Sequence, residues 1–167
     1  MTKNFLILSI SIFITFSFIN ADRVDKSKNN LLGDIQVQNL FTEYPLFKFR
    51  YDNYEVIEQI NLSYLEDISV VIMFGTWCHD SKREVPRMLR ILDSAGVGIE
   101  QISLIGVDTN KEEPKGREKL YNLRNTPTLI LLKNGEEVGR IIERPNVSLE
   151  ADLISLTTRS SESVVED

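Results

Sequence analysis

The stretch that decides the reading is residues 70–86, VVIMFGTWCHDSKREVP. Its first five residues, VVIMF, form an unbroken apolar and β-branched run, the pattern of a central strand buried on both faces. Beyond Gly75-Thr76, Val85, Met88, Leu89 and Leu92 recur at i, i+3, i+4 and i+7, with Lys82, Arg83, Arg87 and Arg90 off that stripe. This spacing predicts an amphipathic helix packed on the sheet. Cys78 falls at the junction, so it stands at the helix N-terminus, beside unpaired N–H groups and the positive end of the dipole. A free thiol titrates near about 8.5, and this placement favours the thiolate. The ordinary role of a lone cysteine is that of a small buried hydrophobe; the strand-to-helix position argues instead for a reactive, accessible thiol.

Working outward, residues 102–107 (ISLIGV) and 128–132 (TLILL) repeat the buried-strand pattern. A strand, a helix of about a dozen residues and a second strand make a βαβ unit, so VVIMF and ISLIGV are expected parallel. Lys133-Asn134-Gly135-Glu136 carries the Asn-Gly signature of a tight hairpin, pairing residues 129–132 with 138–142 and placing TLILL antiparallel to VVIMF. Ser148 is an N-cap for a last helix with Leu149, Leu153, Ile154 and Leu156 on its apolar side. Upstream, an apolar-aromatic run covers residues 45–50 and a helix is predicted over 53–61. The expected class is α/β, a central mixed sheet with helices on both faces.

The whole chain has 167 residues, 42% apolar and 26% charged, which fits one soluble domain with its own core. A formal charge of -6, with acids and bases interleaved, argues against a nucleic-acid partner, because a polyanion needs a basic face. Lys3 precedes an apolar run at residues 5–19 (FLILSISIFITFSFI), and Ile19-Asn20-Ala21 leads into Asp22-Arg23. This is the pattern of a signal peptide cut after Ala21, implying a periplasmic or secreted protein. As a helix the run rises only about 22 Å, short of the roughly 30 Å hydrocarbon core, so no stable membrane insertion is expected after cleavage. The layout is then a signal peptide at 1–21, a polar linker at 22–40, a domain at 41–158 and a disordered tail at 159–167. Export permits disulfides, yet the single cysteine excludes one within the chain. Sequons stand at Asn61 and Asn146.

Trp77-Cys78-x-x-Ser81 followed by Pro86 resembles the active-site segment of the thioredoxin family. Tyr121-x-Leu123-Arg124-x-Thr126-Pro127-Thr128-Leu129-x-Leu131-x-Lys133-Asn134-Gly135-Glu136 is similar to the thioredoxin segment that holds a cis-proline facing the cysteine. The order of elements agrees, and the resemblance covers roughly residues 45–158. It implies a thioredoxin-like three-layer α/β/α sandwich with a central mixed sheet, a cis bond before Pro127 and an oxidoreductase role. Three departures qualify it. Ser81 stands where thioredoxins carry the resolving cysteine, Ile72 where they keep a buried acid, and Glu143-Arg144 where a glycine-containing loop flanks the site.

Cys78 is therefore the candidate catalytic residue, supported by Trp77, His79, Ser81, Thr126 and Pro127. Hydrogen bonds from the Ser81 hydroxyl and the turn N–H groups would hold the thiolate, and a protonated His79 would add a nearby positive charge, which Asp80 opposes. Trp77 serves either the core or a docking surface. His79 is the only histidine and cannot build a metal site alone; no metal or cofactor is expected, with glutathione as a co-substrate. The residues admit three function classes: a monothiol thiol–disulfide oxidoreductase, a non-catalytic thioredoxin-fold binding module, and a peroxide-reacting or sulfenate-repairing thiol. Retention of Trp77, Pro86 and Thr126-Pro127 favours the first, with protein or small-molecule thiols and disulfides as partners.

Overall fold

The computed structural model describes residues 30–60 and 68–162. The expected signal peptide, its cut after Ala21 and the Asn61 sequon lie outside the described residues.

Five strands form one sheet: β1 (Gly33–Asp34), β2 (Ile68–Phe74), β3 (Ile102–Gly106), β4 (Thr128–Lys133) and β5 (Glu136–Ile142), in the order β1-β3-β2-β4-β5. At the centre β2 runs parallel to β3 and antiparallel to β4, with Ile72 opposite both Leu104 and Leu129. The Asn134-Gly135 turn joins β4 to β5 antiparallel, both residues at positive φ, with an irregularity between Leu131 and Leu132. The continuous apolar character of β2 has its cause here. Val70, Ile72 and Phe74 face one core with Leu129 and Leu131, while Val71 and Met73 face another with Ile105, Val107 and Ile130. Each such side chain, fully removed from water, contributes about 1.5–3 kcal/mol.

The layers on the two faces are unequal. The larger core is covered by α1 (Val37–Glu43), α2 (Pro45–Asp52), α3 (His79–Ser94) and α5 (Leu149–Glu162). The smaller core has packed against it Tyr121, Leu123 and Leu132, the first two just after the single turn of α4 (Arg117–Leu120). In α3 the predicted stripe is buried, Val85, Met88, Leu89 and Leu92 lying at 3% exposure or less. The helix continues through the buried Pro86, which has no N–H to offer the Lys82 carbonyl.

Three expectations are corrected upstream and at the end of the chain. No helix forms over the described part of 53–61. Asn53 closes α2, its amide N–H and its side chain both donating to the Phe49 carbonyl. Residues 54–60 are irregular, pinned by Glu150, whose Oε1 accepts from the Tyr54 hydroxyl at 2.9 Å and from the Ile57 amide at 3.2 Å. The polar stretch at 22–40 is not a linker over its described part. Gly33 and Asp34 add an antiparallel edge strand to β3, and Leu40 of α1 is fully buried. Finally, α5 runs on to Glu162, past the expected domain end at 158.

Candidate functional site

The site forms where β2 leaves the sheet. Gly75 and Thr76 carry the chain out, and the Cys78 amide donates back to the Gly75 carbonyl at 3.0 Å. Cys78 has extended backbone angles and caps α3 through its carbonyl, which accepts from the Lys82 amide at 3.1 Å. Its side chain is half-buried. Across from it, the segment before β4 brings up Thr126 and Pro127, joined by a cis peptide bond and both buried. Cys78 Sγ donates to the Thr126 carbonyl at 3.2 Å. Residues 48 apart in sequence thus meet at the sulfur.

Burial pushes the Cys78 thiol up. The Thr126 side chain, the Ser81 amide, the Ser81 hydroxyl and the Asp80 amide pull it down, and together they prevail, leaving it below the ordinary thiol value. The thiol form is held by the Thr126 carbonyl, and the thiolate by donors from the first turn of α3 and from Thr126. Ser81 is fully buried, and its Oγ also accepts from the Gly75 amide at 3.3 Å, so this hydroxyl ties the strand exit to the helix start.

Trp77 lies partly buried with its indole Nε1 donating to the Val107 carbonyl at 3.0 Å. Its ring lies over Gly75, where a Cβ would come within 2.4 Å of the indole. Gly75 is thus required for the Trp77 pose, a role that a glycine at the end of a buried strand signals only in general terms. His79 stands apart. Its side chain is 84% exposed with Nδ1 4.0 Å from Asp80 Oδ1, and the groups that act on the sulfur come from Asp80, Ser81 and Thr126 instead. Asp80 is engaged by Arg83, 2.7 Å from its Oδ1.

One contributor was not legible in sequence, and one flanking departure takes a specific form. Asn30, in the supposed linker, accepts from the Thr76 hydroxyl at 3.2 Å. Glu143, where a glycine-containing loop would be expected, takes the left-handed φ of 59° and donates its amide to the Pro127 carbonyl at 2.7 Å. The loop is therefore seated against Pro127 with a non-glycine residue in a glycine-like conformation. Ile72 is fully buried among strands, an apolar side chain within the sheet.

No cluster of three or more metal-ligating side chains occurs among the described residues, and none of the helices there is long and apolar enough to cross a membrane.

No model of a known protein family matches the chain, and no curated protein matches it. Among solved structures it is similar to a thioredoxin of Fasciola hepatica, at 22% identity over 59% of this chain and 86% of that one, with a TM-score of 0.39. Thioredoxin f from spinach chloroplast is 21% identical over 57% of this chain and 72% of that one, with a TM-score of 0.40. A malarial protein is 26% identical over 56% of this chain and 97% of that one, with a TM-score of 0.41. The fold is thioredoxin-like in the order of its elements and in its mixed sheet.

Proposed function

We propose that the protein is an exported monothiol thiol–disulfide oxidoreductase working through Cys78. The observation that carries this reading is the half-buried Cys78 sulfur at the start of α3, facing Thr126 and held below the ordinary thiol value. In the first step the thiolate attacks one sulfur of a substrate disulfide. A Cys78–substrate disulfide forms, the substrate S–S bond breaks, and the other sulfur leaves as a thiolate. Ser81 offers a hydroxyl where a second thiol would be needed, so the mixed disulfide cannot close internally. An external thiolate, such as glutathione, attacks the bound substrate sulfur, so that a glutathione–substrate disulfide forms, the Cys78–substrate bond breaks and Cys78 leaves as the thiolate; a second glutathione thiolate then frees the substrate thiol as oxidised glutathione forms. Donors from Ser81, Asp80 and Thr126 favour both the attacking form and the leaving form of Cys78.

The test is the intact mass of protein incubated with oxidised glutathione, then with reduced glutathione. One glutathione adduct on Cys78, lost on adding the reduced form and absent in Cys78→Ala, is expected. Insulin reduction should be poor without added monothiol and should rise several-fold in Ser81→Cys. An adduct that never forms, with partner binding intact in Cys78→Ala, would make the chain a binding module instead. Export is checked separately by N-terminal sequencing of the mature protein, expected to begin at Asp22.

A further inference from the structure

An open cleft of about 360 Å³ lies where β4 begins and β5 ends, lined by Asn122, Arg124, Thr128, Arg140 and Ile142. Ile142 pairs with Thr128 and Arg140 with Ile130, so these side chains share the sheet face of the smaller core. The lining residues are sequence neighbours of the groups around the sulfur. Thr128 follows Pro127, and Ile142 precedes Glu143, whose amide donates to the Pro127 carbonyl at 2.7 Å. Arg124 stands two residues before Thr126, whose carbonyl accepts from Cys78 Sγ at 3.2 Å. Two residues of chain span at most about 7 Å, so the cleft adjoins the cysteine site.

The two arginines differ in what holds them. Arg140 is fixed, its Nε and Nη2 paired with Glu137 and its Nη1 donating to the Tyr121 carbonyl at 2.9 Å. Glu137 therefore answers its charge. Arg124 is exposed, and among the described residues its guanidinium has no hydrogen-bond, ion-pair or ring partner. Its donors are accessible and its charge uncompensated. The exposed Asn122 carboxamide brings a neutral donor to the same lining. No lining residue is acidic, and Glu143 and Arg144, which follow Ile142, carry opposite charges. Ile142, 42% exposed, supplies an apolar wall. A free guanidinium fork matches the two oxygens of a carboxylate, and the cleft leaves room for the chain that carries it.

We infer that this cleft is the carboxylate subsite for the small thiol that resolves the Cys78 mixed disulfide, with Arg124 as its anchor. The inference rests on the monothiol reading and names the class of its co-substrate, a thiol with a carboxylate on a short flexible chain, as in glutathione. The carboxylate lies on Arg124 beside Asn122, the chain passes Ile142, and the thiolate meets the substrate sulfur held on Cys78. That thiolate bonds to the substrate sulfur, the Cys78–substrate bond breaks, and Cys78 leaves as the thiolate. Because the anchor is one exposed charge, the site selects among thiols by charge and by a modest factor.

The full mature protein is treated with hydroxyethyl disulfide, which leaves a neutral adduct on Cys78. Release of that adduct is timed by intact mass with glutathione and with glutathione diethyl ester, which has the same skeleton without its carboxylates. Each rate is divided by that of the same thiol on the hydroxyethyl disulfide of N-acetylcysteinamide, which removes the difference in intrinsic reactivity. Wild type should favour glutathione about three- to fivefold, the worth of an exposed ion pair, and less so as salt is raised. Arg124→Gln should abolish the preference, and Arg124→Lys should keep part of it, because a lysine lacks the bidentate fork. Equal corrected rates in wild type, or a preference that survives Arg124→Gln, would overturn the subsite and leave the monothiol chemistry standing. If no adduct forms, the monothiol reading fails, and S-methylglutathione decides the subsite by itself. A saturable shift of the Arg124 Nε–H resonance, absent with the diethyl ester of that ligand, would support it, and no saturable shift would overturn it.

Discussion

The sulfur of Cys78 is governed by a few atoms, and Ser81 contributes two of the donors that lower its titration, the amide and the hydroxyl. Ser81→Ala keeps the amide and removes the hydroxyl. The pH midpoint of iodoacetamide alkylation should therefore rise in this variant, and its reaction at neutral pH should be slower than wild type. An unchanged profile would show that the hydroxyl serves only Gly75. A second residue-scale prediction concerns Glu143. Its left-handed backbone costs a side-chain-bearing residue about 1 kcal/mol. Glu143→Gly should raise stability by up to about 1 kcal/mol in urea unfolding, even though it deletes a side chain. A loss of stability would mean that chain entropy outweighs the strain.

Among the elements, β1 and α4 are joined by a charge cluster. Arg117 donates to both Glu113 oxygens, each at 3.0 Å, and also pairs with Asp34 of β1, which Lys115 engages from the other side. The Arg117 guanidinium, opposed by burial and aided by backbone amides, brings the Glu113 carboxyl from 4.5 down to about 2. A folded value below the unfolded one means that stabilisation is complete above about 4.5 and is lost as pH falls toward 2. Unfolding curves recorded across that window should show Glu113→Gln with a weaker pH dependence than wild type. Arg117→Ala should cost about 2–3 kcal/mol at neutral pH, since it leaves the Glu113 side chain buried without its cation. A parallel pH dependence in Glu113→Gln would place the acid sensitivity elsewhere. The same scale explains the missed helices. In α1 only Leu40 is buried and in α2 only Phe47, so neither shows a full apolar stripe. Pro45 at the first turn of α2 was the usable signal.

At the scale of the whole molecule, residues 30–36 complete the domain. The backbone crosses Gly106 so closely that a Cβ there would lie 2.1 Å from the Leu31 carbonyl oxygen. Backbone cannot yield as a side-chain end does, so Gly106→Ala should displace the segment and cost about 1–3 kcal/mol. Limited proteolysis should then cut near residues 30–36 faster than in wild type. Unchanged cleavage and stability would mean that the segment is only loosely held. Its loss would also uncover the β3 edge and remove Asn30 from the Thr76 hydroxyl, linking stability to the site.

What the sequence determined by itself was local or periodic. Strand β2 reads as buried on both faces because its apolar run is unbroken, α3 because its stripe has the helical period, and the β4–β5 hairpin because Asn-Gly suits its turn. Cys78 was legible for the same reason, since a strand-to-helix junction is a feature of neighbouring residues. Only the tertiary structure decided the rest. The irregular path of residues 54–60 depends on Glu150, more than ninety residues away, whose carboxylate holds the Tyr54 hydroxyl and takes the Ile57 amide hydrogen bond that a local helix would have made internally. The role of residues 30–36 depends on an edge strand and on Gly106, and that of Glu143 on the Pro127 carbonyl. Each of these contacts joins atoms distant in sequence, and a periodicity within one segment carries no record of the backbone groups another segment will present to it.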